Sequence, residues 1–153
     1  MAGYSGKPLA QKLGIKPGFC VFVSGAPKAY DELVGGLPDG AKIVARLKTP
    51  LDMVHLFATR AAGLTSKLQS FREAIAPDGM IWVSWPKKSS RIATDLSDIV
   101  VRDTALPLGL VDIKVCAVDE TWSGLKFVIP RDLRASTGVA KSGATSSRRG
   151  VVK

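Results

Sequence analysis

The sequence predicts one α/β domain built on a single open, mostly parallel sheet, with helices on both faces and an antiparallel hairpin near the C-terminus. Three observations predict it. Short apolar runs rich in β-branched and aromatic residues alternate with segments of helical period. The first runs are apolar on both faces, as strands covered on two sides are. The last two runs are divided by only a few polar residues, a connection short enough for a hairpin.

The elements follow in order. "FCVFVSG" (19–25) reads as the first strand, and a short helix follows "GAPKAY" and ends at Gly35 and Gly36. "AKIVARL" (41–47) and "DMVHLFAT" (52–59) read as the next two strands. Leu64, Leu68, Phe71 and Ile75 recur at helical spacing and stop at the breaker "PDG" (77–79), which precedes the strand "GMIWVSW" (79–85). Ile92, Leu96, Ile99 and Val100 repeat the stripe before Pro107, so a helix is expected from about Arg91. "LVDIKVCAVDETWSGLKFVIP" (110–130) supplies the hairpin, with Asp119, Glu120 and Thr121 as its connection, and one of its strands must run against the rest. Right-handed crossovers then bring the first and fourth strands side by side, opening onto a shared rim.

Composition bounds the function. A chain of 153 residues is the size of one ordinary domain and buries a core without disulfides or metal. No apolar run reaches the ~18 residues of a membrane span, and the N-terminal stretch lacks the apolar run of a signal peptide, so a cytoplasmic protein with no membrane partner is expected. Cys20 and Cys116 sit in apolar runs with no second Cys or His at ligand spacing, which makes buried free thiols the expectation and provides no metal site. Of the net charge of +9, residues 131–153 carry +5 in a Gly/Ser-rich stretch. The expected division is therefore an α/β domain over 1–130 and a flexible basic tail over 131–153, either a solvated arm or a weak nucleic-acid arm. The remaining +4 forms no dense block in the sequence.

The stretches "GIKPGFCVFVSGAP", "DMVHLF" and "APDGMIWVSWP", and a hairpin of the form "VDxxVCAVDETWSGLKF", resemble a bacterial family of small uncharacterised proteins, a domain of unknown function. The resemblance covers residues 3–130, and "WPKK" and "DETWSGLKF" are its most specific parts. More distantly, the layout is similar to the class I methyltransferase fold, which implies a Rossmann-like sheet and, as an alternative function, an atypical enzyme using S-adenosylmethionine. Enzymes of that fold place several glycines after the first strand and a carboxylate at the end of the second. Here "SGAPKAY" offers Gly25 alone, followed by Pro27, and the second run ends in Arg46-Leu47-Lys48.

No catalytic grouping is expected. His55, the one histidine, lies mid-strand as a satisfied imidazole, and no nucleophile elbow or phosphate-cradling Gly/Lys loop occurs. Asp31, Glu32, Asp95 and Asp98 are expected near helix starts, complementing exposed amides. The candidate site is "SWPKKSS" (84–90), where a strand gives way to a helix. Ser84, Lys87, Lys88, Ser89 and Ser90 would meet a phosphate or carboxylate there, with Ser89 or Ser90 capping the helix. Gly25 and Lys28 would join from the first turn, and Trp85 and Trp122 would wall a ring. The competing reading pairs Lys87 or Lys88 with Asp119 or Glu120 and leaves nothing for a ligand. The leading expectation is thus a module binding a small anionic ligand or a protein partner, and an unpaired hairpin edge would permit a homodimer. The cofactor is left open.

Overall fold

The computed structural model describes residues 8–28, 30–47 and 49–138. Six strands, β1 (Cys20–Ser24), β2 (Lys42–Val44), β3 (Leu51–Phe57), β4 (Ile75–Pro86), β5 (Val111–Ala117) and β6 (Trp122–Val128), form one sheet in the order β2-β1-β3-β4-β6-β5. The first four are mutually parallel. Strand β6 runs antiparallel between β4 and β5. Only β6 therefore opposes the common direction. Strands β1 and β4 are parallel but not adjacent, because the chain crosses from edge strand β2 past β1 and inserts β3 between them.

Alternation along the inner strands divides the core in two. Leu51, Val54 and Leu56 of β3 with Ile81, Val83 and Trp85 of β4 pack under α3 (Leu64–Ala74) and α4 (Asp98–Ala105). Met53 and Phe57 with Met80 and Trp82 pack under α1 (Leu9–Leu13) and α2 (Tyr30–Val34). Both faces are thus covered, as the doubly apolar runs require. No helix among the described residues is long and apolar enough to cross a membrane.

Four local features depart from the sequence reading. Helix α1 was not predicted; Leu9 and Leu13 lie one turn apart and are buried, and Trp82 Nε1 donates to Leu13 O at 2.8 Å. The "PDG" breaker is absorbed within β4, where Leu51 pairs with Ile75 but Met53 pairs with Met80, so the surplus residues bulge out. Helix α4 begins at Asp98 and not near Arg91, because Ser97 caps it by accepting from Val100 N, while Ile92 and Ile99 of the presumed stripe are exposed. The first eight residues of the expected tail form helix α5 (Arg131–Gly138); residues 139–153 lie outside the described residues.

The acidic residues divide accordingly. Asp31, Glu32 and Asp98 stand in first helical turns as expected. Asp95 instead accepts from Ala61 N at 2.7 Å while Thr94 Oγ1 donates to Thr59 O at 2.7 Å, stapling the loop after β3 to the segment before α4. Replacing Ser97 by Ala is expected to cost about 1 kcal/mol through the lost cap, read as a lowered urea midpoint.

Candidate functional site

Strands β1, β3 and β4 end on one rim of the sheet, the position at which ligands of open α/β folds collect. Gly25 begins the turn after β1 with φ +72°, and a Cβ there would lie 2.5 Å from the Phe57 carbonyl oxygen. The glycine is thus explained by close approach to β3. Gly25 and Lys28 are both exposed. Phe57 forms the hub beneath this turn, stacked on His55 at 4.3 Å and meeting Tyr30 at 5.5 Å and Trp122 at 5.0 Å edge-on.

On the β4 side the backbone is tightly held. Lys87 N donates to Thr121 O at 2.8 Å, which ties the strand end to the hairpin connection. Ser90 folds back as its hydroxyl donates to Lys87 O at 2.7 Å and accepts from Ile92 N at 3.2 Å, closing a 3-10 turn over Lys88–Ser90. Lys88 and Ser89 are exposed and Lys87 is half-buried. Asp119 does not pair with them. Its Oδ1 accepts from Thr121 N at 2.8 Å and Trp122 N at 2.7 Å, so its charge serves the hairpin turn. Among the described residues Lys87 and Lys88 make no ion pair with Asp119 or Glu120.

The structure therefore separates the sequence candidates. Gly25, Lys28, Lys87, Lys88 and Ser89 lie at the rim. Ser84 is fully buried, and Ser90 is spent within its own turn without capping α4. Trp85 packs in the α3/α4 core whereas Trp122 packs in the α1/α2 core, so the two rings lie on opposite faces of the sheet and cannot wall one ligand. Strand alternation dictates this, because Trp122 pairs with Pro86 and not with Trp85.

Beneath the rim lies a network that single-sequence reasoning could not assemble. His55 is fully buried, with Nδ1 2.9 Å from the Tyr30 hydroxyl and Nε2 2.8 Å from Ser84 Oγ. One nitrogen donates and the other accepts, so both are satisfied by a neutral ring. Burial lowers the His55 pKa to about 3, and burial followed by the charge of Asp31 raises that of Tyr30 out of the ordinary tyrosine range. All three groups are locked in uncharged form at neutral pH. The only signals in the sequence were an inward-facing histidine and a serine two residues after Trp82. This network holds α2, β3 and β4 together, which fixes the turn carrying Lys28 relative to the strand that Lys87 follows.

The rim residues do not reproduce a methyltransferase grip on S-adenosylmethionine. Beyond β2 the described residues include exposed Arg46 and Leu47 and no carboxylate, and the missing side chain of Gly25 makes room for Phe57 O. Among the described residues no cluster of His, Cys, Asp or Glu is arranged to hold a metal, and Cys20 and Cys116 are half-buried free thiols.

No family model and no curated protein matches the sequence. Solved structures match its fold. The chain is similar to an S-adenosylmethionine-dependent methyltransferase from Aquifex aeolicus (TM-score 0.54, 15% identity, 78% of this chain and 87% of that one). It is also similar to magnesium protoporphyrin IX methyltransferase from Synechocystis PCC 6803 with bound SAH (TM-score 0.51, 11% identity, 80% and 78%). A possible exported protein from Bordetella parapertussis matches with TM-score 0.57 and 12% identity over 80% of this chain and 66% of that one. At these identities the likeness is one of architecture. The chain has a Rossmann-like fold of the class I methyltransferase type.

Proposed function

We propose that the chain is a binding module on a methyltransferase-like scaffold, taking a small anionic ligand at the rim formed by Gly25, Lys28, Lys87, Lys88 and Ser89. The observation that carries this reading is the pair Lys87 and Lys88 at the end of a central parallel strand, neither of them paired with Asp119 or Glu120. Two consecutive lysines that make no ion pair among the described residues favour a phosphate or carboxylate, and lysine contacts anions as a point charge. The one imidazole is buried and doubly bonded, so this reading assigns it no role at the rim. A cytoplasmic setting is part of the same reading and agrees with two free thiols.

A thermal-shift series with inorganic pyrophosphate, ADP, citrate and S-adenosylmethionine tests the proposal. An anionic ligand at one hundred times its Kd contributes about 2.7 kcal/mol. For a domain of this size that raises the melting temperature by roughly 5 to 10 °C. The shift should vanish in Lys87→Ala/Lys88→Ala and persist in a Lys42→Ala control. Stabilisation by S-adenosylmethionine alone would favour the methyltransferase reading instead, and shifts that survive the double substitution would remove the rim as the site.

A further inference from the structure

Lysines scattered through the sequence converge on the α1 face of the sheet beside β5. Lys114 of β5 stands directly opposite Lys126 of β6 in the antiparallel register. Lys114 Nζ donates to Lys12 O at 3.4 Å, and Lys12 Nζ donates to Ala117 O at 3.0 Å. A Cβ on Gly14 would lie 3.5 Å from Lys126 Nζ, which places that ammonium against the end of α1. Burial, then the charges of Lys114 and Lys16, lowers the Lys126 pKa. Burial pushes the neighbouring Cys116 thiol up, opposed by the fields of Lys12, Lys114 and Lys87. Lys12, Lys16, Lys114 and Lys126 thus form one cationic ridge, with Lys87 at its rim end.

This arrangement works against stability. Like charges directly opposite on paired strands repel, and among the described residues neither Lys114 nor Lys126 nor Lys16 has a carboxylate partner. The carboxylate on β5, Asp112, is paired with Arg102 of α4 at 3.0 Å, and its register partner Phe127 belongs to the α3/α4 core, so it faces away from the ridge. Three lysines left uncompensated by the described acids have their complement in a polyanion. Apolar exposure on the ridge face is slight: Leu9, Ala10 and Leu13 of α1 are buried, Ile99 and Leu106 belong to the α4 side, and exposed Val115 pairs with Leu125 of the α3/α4 core and so lies on the opposite face, which leaves exposed Ile113 at the bulge beside Lys114.

We infer that the ridge of Lys12, Lys16, Lys114 and Lys126 docks on the phosphate backbone of a nucleic acid. The contact is electrostatic and independent of base sequence. Its test leaves Lys28, Lys87 and Lys88 in place, so its failure is distinguishable from failure of the small-anion rim.

Fluorescence anisotropy of the full chain with labelled DNA and RNA duplexes of about 20 base pairs, titrated with salt, tests the inference. Three phosphate contacts on DNA, from Lys16, Lys114 and Lys126, predict a log–log salt slope of roughly −2 to −3. Lys114→Glu/Lys126→Glu should weaken binding at least tenfold at low salt and reduce the slope by about two. Lys114→Glu alone should weaken binding with no fall in melting temperature, since it places a carboxylate opposite Lys126 and separates lost contact from lost fold. Absence of duplex binding at low salt would overturn the inference, as would unchanged binding by the double variant. Binding abolished by removing residues 139–153 from an otherwise intact chain would assign it to the tail. Binding confined to phosphatidylserine vesicles would assign the ridge to a membrane.

Discussion

Gly25→Ala is expected to destabilise the protein by about 2 to 5 kcal/mol, far more than the same change at an ordinary turn glycine. Two costs combine. The backbone sits at φ +72°, where any L side chain is strained by roughly 1 to 2 kcal/mol. The new methyl would also approach the Phe57 carbonyl oxygen at 2.5 Å, a contact relieved only by moving the β1 turn away from β3, and overpacking of this kind costs about 1 to 3 kcal/mol. Gly35 supplies the control, with φ +76° and no atom within 4 Å of the point where its Cβ would stand. Gly35→Ala should cost about 1 kcal/mol. Urea midpoints for the two variants compare them directly, and equal losses would show that the Phe57 contact contributes nothing.

His55→Gln is expected to lower stability at pH 7 by about 2 to 4 kcal/mol, because the Tyr30 hydroxyl and Ser84 Oγ lose a partner inside the core. Its pH dependence is more diagnostic. In the native protein the His55 pKa lies near 3, below its ordinary 6.5, so the unfolded chain takes up a proton that the folded one refuses. The stabilisation is complete above pH 6.5 and is lost as pH falls from 6.5 towards 3. Wild type should therefore lose about 2 kcal/mol more than His55→Gln between pH 7 and pH 5. Parallel stability curves for the two proteins over that interval would mean that the imidazole is not held neutral by burial.

The inner parallel strands were legible in the sequence because β1, β3 and the second half of β4 are apolar runs bounded by glycine or proline. The antiparallel hairpin was legible too, since Asp119 to Thr121 leaves no room for a crossover. Helix α4 was misplaced because Ile92, Leu96 and Ile99 mimic a helical stripe, while the true start is set by Ser97 and by Thr94 and Asp95 bonding across to the loop after β3. Helix α1 escaped because five residues carry too little periodicity to be seen.

The site was half legible. Lys87, Lys88 and Ser89 declare themselves by following a strand, but the facing of Trp85 and Trp122 depends on a register that no local pattern fixes. The Tyr30, His55 and Ser84 network and the lysine ridge both join residues from distant parts of the chain. Only the folded sheet brings them together.

The proposed function requires that an anion be held where β1 and β4 end. Amide chemical shifts of the full chain, recorded while inorganic pyrophosphate or ADP is added, test it most directly. Saturable shifts are expected in Gly25, Ala26 and Lys28 and in Lys87 to Arg91, and none in Lys87→Ala/Lys88→Ala. Shifts confined to other surfaces, or none up to millimolar ligand, would contradict it.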